Sequence, residues 1–280
     1  AITAESPLAT FLYAGAAAYY AIHLEGLGLT TESADWENEA INAYAWAENF
    51  MSANPGSEGP NNLVPKAKIT PSSLLFRLTG DTQYQDDFVT LTDLYNMPEP
   101  GWAGANYEDW GRFSYGMLPS SFPGLNSAKH TSIRDLITSR VDIFQVDYAL
   151  ANRKFRSTHI NSRERFQICS FSTPHTTAMA AAFAITGNSK YADAIQFAAD
   201  YCMGGNELNM VWMTGVGDNP DRYTFHVDMQ LMSDPNSKVY ETPFYPGYTT
   251  YGGNNRGSDG FFNWVGDEAF SRSTAYPDAQ

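Results

Sequence analysis

An all-α fold of stacked helical hairpins is what this 280-residue sequence predicts, and three observations carry that prediction. A helix-turn-helix pattern recurs: "LLFRLTGDTQYQDDFVTL" at 74–91 and "AAFAITGNSKYADAIQFA" at 181–198 share an apolar run, Thr-Gly, Asp or Asn, a polar pair, Tyr and a second apolar run. The stretch "PLATFLYAGAAAYYAIHLE" at 7–25 is Ala-rich and apolar all round, which predicts a deeply buried helix. Apolar residues also recur at helical spacing in 36–51 and 129–152.

Taken in order, 7–25 forms the first helix, and Thr31 to Ser33 and Asp35 offer capping chemistry for a second, "WENEAINAYAWAENFM". The stretch "SANPGSEGPNN" then breaks it with Pro and Gly. In the repeated unit, Gly80 and Gly187 stand where a left-handed helix cap is wanted. Asp81 and Asn188 are placed to cap the helix that follows, and the Tyr is expected to pack back across the turn. "LTTESADWENEAI" at 29–41 reads as a weaker third copy that lacks the Gly. Residues 107–120 predict a helix ended by Pro119. Residues 129–152 predict a long amphipathic helix marked by Ile133, Leu136, Ile137, Val141, Phe144 and Tyr148. About seven or eight helices result, in units that bury one another as one domain over 1–280. From 204 to 267 the periodicity fades into a loop-rich region of Gly, Asn, Asp, Pro and aromatics, where function is expected to sit.

An apolar content of 43% supports a sizeable core. Charged residues reach only 17%, against roughly 25% in an average domain, while aromatics reach 14%. A surface poor in charge and rich in Tyr, Asn, Ser, Thr and Gly suits neutral hydroxylated ligands such as sugars. The net charge of -14 disfavours nucleic acid and anionic membrane as partners. No apolar stretch reaches the roughly 18 residues of a membrane span. Cys169 and Cys202 match neither a zinc site nor a redox dithiol, leaving one disulfide or two buried thiols. The chain begins "AITAESPLATF" with neither Met nor a signal peptide, so a processed or cut N-terminus is expected.

Neither a phosphate-cradling Gly loop, a His-Glu-x-x-His helix nor a Gly-x-Ser-x-Gly elbow occurs. Of the histidines, His23 in its apolar helix reads as a core residue, and His130 and His159 read as solvated. His175, in a turn that opens an apolar helix, and His226, in the loop "DRYTFHVDM", are candidates for a site. Glu268 has the strongest carboxylate context. It is either a first-turn acid favoured by the helix dipole, or a proton donor whose pKa is raised by the apolar wall of Phe261, Phe262 and Trp264.

Three blocks near the C-terminus fall in a telling order: "GGNELNMVWMTGVG", "PFYPGYTTYGGNN" and "NWVGDEAFSRST". They resemble, in turn, the Gly-x-Asn-Pro-Leu block, the Pro-Gly then Gly-Gly-Pro-Asn loop, and the Asp-Tyr-x-x-Asn-Glu block of family 9 glycoside hydrolases. The resemblance implies an (α/α)6 barrel, incomplete in this chain, and an inverting cellulase-like hydrolase with Glu268 as the general acid. It implies substrate contacts from His226, Arg222, Tyr223, Tyr248, Tyr251, Arg256, Trp264 and His175. The family's His-x-Arg reads His226-Val227-Asp228 here, which leaves Arg222 or Arg256 to supply the arginine. Asn263, Asp267 and Thr274 stand where the family has Asp, Asn and Asn.

Nothing in residues 1–280 resembles the family's Asp-Ala-Gly-Asp block, which carries the catalytic base. The resemblance therefore implies an upstream Asp, with an N-terminal segment or partner chain completing the barrel. Its alternative is a non-catalytic, degenerate glycan-binding or structural module of a cell-surface or secreted assembly. The resemblance further implies a β-glucan-like polysaccharide as partner and an extracellular or cell-surface location. No cofactor is required for such hydrolysis; Ca2+ is expected at most as a structural ion, with Asp218, Asp221 and Asp259 as oxygen donors.

Overall fold

A computed structural model of the chain describes residues 5–95, 107–147 and 176–205, together with 209, 211, 213 and 215–219. These residues form eight α-helices: α1 Pro7–Gly26, α2 Thr30–Ala53, α3 Leu63–Thr79, α4 Thr82–Leu94, α5 Tyr107–Gly116, α6 Ser127–Val141, α7 Thr177–Thr186 and α8 Ser189–Cys202. A π-helical turn, Asp142–Val146, extends α6. The described residues fall into two compact units, one running through Ser139 and the other from Arg140 onward.

In the first unit, α1 starts where Ser6 caps it, the Oγ accepting from the Ala9 amide at 3.3 Å, with Pro7 in the first turn where its missing N–H costs nothing. Its alanines carry no side-chain bulk, so α2 and α3 pack closely on it. Phe11 meets Tyr44 edge-on at 5.5 Å, and the Ser33 hydroxyl donates to the Ala21 carbonyl at 2.9 Å, pinning the start of α2 to the end of α1. On its other sides α3 packs against α4 and α5.

The repeated turn is reproduced bond for bond. Gly80 and Gly187 both adopt the left-handed conformation, φ 71° and 67°, and donate to the carbonyls of Phe76 and Phe183 at 2.9 and 2.7 Å. Thr79 and Thr186 each donate a hydroxyl hydrogen to the carbonyl four residues back, at 2.8 and 2.7 Å. Each also accepts from the amide of the next capping residue, Asp81 or Asn188. Asp81 and Asn188 then accept from the amides of Gln83 and Lys190 at 2.9 and 3.1 Å, starting α4 and α8. The tyrosines diverge: Tyr84 packs edge-on to Tyr44, whereas Lys190 lies over the ring of Tyr191 and reaches Asp142.

Four expectations are corrected. Residues 29–41 form no hairpin turn; α2 begins at Thr30, its N-cap is Leu29, and Thr31, Ser33 and Asp35 lie inside the helix. The first helix buries one side only, through Phe11, Ala14, Ala17, Ala18, Ala21 and Leu24, and exposes Leu12, Tyr13, Tyr19 and Tyr20. His23 lies on that exposed side, stacked on Tyr19 at 6.0 Å, and is no core residue. His130 is the reverse: charged and polar sequence neighbours suggested solvent, yet it is 3% exposed, its ring edge-on to Tyr115. Tyr148 and residues 149–152 lie outside the described residues.

Candidate functional site

The chain's first unit holds a buried polar cluster. Lys68 Nζ lies 2.9 Å from Glu48 and 3.0 Å from Asp87, and the Tyr44 hydroxyl donates to the same Asp87 oxygen at 2.6 Å. Ser72, 2.9 Å from the Tyr44 hydroxyl, donates back to the Lys68 carbonyl. Burial, reinforced by the Asp87 contact, pushes the Tyr44 phenol far above its ordinary pKa and keeps it a donor. Every member has a partner, so the cluster pins α2, α3 and α4 together. A second cluster centres on Gln85, whose carbonyl accepts from the Tyr115 hydroxyl at 2.8 Å and the Asn126 amide at 2.6 Å, while its amide donates to the Gly124 carbonyl. Burial pushes the Tyr115 phenol up to about 12.

Among the described residues, a groove of about 270 Å³ lies between α1, α3 and α5, lined by Phe11, Gly15, Pro71 and Leu74 and by Tyr19 and Trp110. Tyr19 is 51% and Trp110 44% exposed, their ring centroids 6.5 Å apart. No carboxylate lines the groove.

The chemistry expected from the sequence lies further along. Glu268, His226, Arg222, Tyr223, Tyr248, Tyr251, Arg256, Trp264 and His175 all fall outside the described residues, as do Cys169, His159, Asp221 and Asp259. Among the described residues, no group of three or more His, Cys, Asp or Glu is arranged to hold a metal ion; of the three acids expected as oxygen donors, only Asp218 is among them.

The loop that leads toward that region is described in part. Met203 forms an antiparallel bridge with Val211, the Gly205 amide donates to the Asp200 carbonyl at 2.7 Å, and the Val211 amide donates to Asn219 O at 2.9 Å. Glycine is required at 205 and 217: a Cβ at 205 would lie 2.8 Å from Asp200 O, and one at 217 would lie 2.8 Å from Val211 Cγ2 with φ at 76°. Gly205 and Val211 of this block are thus held against Asp200 and Met203 at the end of α8. Sequence reasoning missed the Lys68 cluster and the Tyr19–Trp110 pair. A lysine within the apolar helix "LVPKAKITPSSLLF" was the available signal for the first.

Comparison with known proteins follows from this geometry. The sequence profile described as "Glycosyl hydrolase family 9" matches residues 1–279. Among solved structures, a single mutant of the thermostable endoglucanase of Alicyclobacillus acidocaldarius is similar with a TM-score of 0.70 at 20% identity, covering 96% of this chain and 52% of that one. A Bacteroides ovatus family 9 glycoside hydrolase is similar with a TM-score of 0.64 at 19% identity, covering 89% and 47%. A Zn-binding triple mutant of the family 9 endoglucanase J30 gives 0.68 at 19% identity, covering 96% and 48%. At these identities the likeness establishes the fold, all-α and of the (α/α)6-barrel type. The chain spans about half the length of these structures. No functionally curated protein matches it.

Proposed function

Because the chain belongs to glycosyl hydrolase family 9, on a match running through residues 1–279, we propose that it is part of an inverting, cellulase-like hydrolase of β-glucans. The match carries the reading, and the order of the three C-terminal blocks supports it. Glu268 donates the proton to the departing glycosidic oxygen; Phe261, Phe262 and Trp264 beside it in sequence keep it protonated. Inversion needs a second carboxylate roughly 6.5–9.5 Å away to activate water, and an Asp outside residues 1–280 supplies it. His226, His175, Arg222 and Arg256 bind sugar hydroxyls, and Tyr223, Tyr248, Tyr251 and Trp264 stack on sugar faces. The protein works outside the cell or on its surface. Further helices, from an N-terminal segment or a partner chain, complete the barrel. A structural Ca2+ would draw on Asp218, Asp221 and Asp259, with no part in bond cleavage.

The test is release of reducing ends from a soluble β-glucan by the protein encoded by its full-length gene. Glu268→Gln should lower the rate by about 10²–10⁴-fold while leaving the circular dichroism spectrum unchanged. A Glu268→Gln protein as fast as wild type would place the acid elsewhere. A wild-type protein that binds the glucan without releasing reducing ends would establish the non-catalytic module instead.

A further inference from the structure

We draw no further inference here: the strongest candidate, the apolar groove between α1, α3 and α5 with the exposed rings of Tyr19 and Trp110 beside it, carries nothing, because nothing among the described residues shows what covers it.

Discussion

The amide of Gly111 donates to Thr70 Oγ1 at 3.0 Å, and α5 crosses α3 so closely there that a Cβ on residue 111 would lie 2.7 Å from both Ile69 O and Thr70 Cα. The obstacle is backbone, which cannot swing aside. Gly111→Ala should therefore destabilise the fold by about 1–3 kcal/mol, even though alanine is the better helix former by about 1 kcal/mol. Gly26, with nothing within 4 Å of a built Cβ, provides the contrast: Gly26→Ala should be neutral or slightly stabilising. Urea melts of the two variants decide it; equal midpoints would show that the α3–α5 crossing relaxes.

The matched turns at 79–84 and 186–191 make a paired prediction. Gly80→Ala and Gly187→Ala each force a Cβ into the left-handed region and should cost about 1 kcal/mol apiece. Asp81→Ala and Asn188→Ala each remove an N-cap acceptor and should also cost about 1 kcal/mol. The two copies should respond alike in thermal denaturation. A variant pair in which only one copy loses stability would mean that neighbouring contacts, not the turn itself, hold that hairpin.

These turns were legible because their causes are local: a left-handed glycine and a capping side chain act within five residues of sequence. The same rule misled at 31–35, where Thr, Ser and Asp have capping chemistry but sit inside α2, because Ser33 finds the Ala21 carbonyl on the facing helix instead. His23 and His130 exchanged their expected environments for a similar reason. Burial is decided by which helix arrives on which side, and an Ala-rich helix whose one acid, Glu25, lies in its last turn does not announce which of its sides stays uncovered. Of the candidate site, the resemblance gave residues and an order, while the described part of the chain gives the scaffold and the Met203–Val211 bridge.

The Lys68 cluster should show the asymmetry of a buried ion pair. Lys68→Met leaves Asp87 and Glu48 facing each other without the cation between them, and should cost about 3 kcal/mol, the low end for a broken buried pair because both acids reach solvent in part. Glu48→Gln, at the most exposed member, should cost less than about 1 kcal/mol. Chemical denaturation of both variants checks the order. A Lys68→Met protein as stable as wild type would show that packing alone joins α2, α3 and α4.

His130 gives the first unit an acid-sensitive point. Burial, and then the positive charge of Arg134, hold its pKa below the ordinary 6.5, although the Gly116 and Leu118 carbonyls pull the other way. Its Nε2 is buried without a hydrogen-bond partner, so the neutral ring is what the fold accommodates. Between the folded and unfolded pKa values the unfolded chain binds more protons, and stability therefore rises with pH in that window. The contribution is complete above pH 6.5, declines as the pH falls from 6.5 through the lowered folded value, and is flat below it. Ordinary carboxylates titrate mainly below about 4.5, so melts between pH 5 and 7 isolate the effect. His130→Asn should lose stability at pH 7, where it gives up the ring packing on Tyr115, and should show a shallower slope toward pH 5 than wild type. Identical slopes would assign the acid sensitivity to other groups.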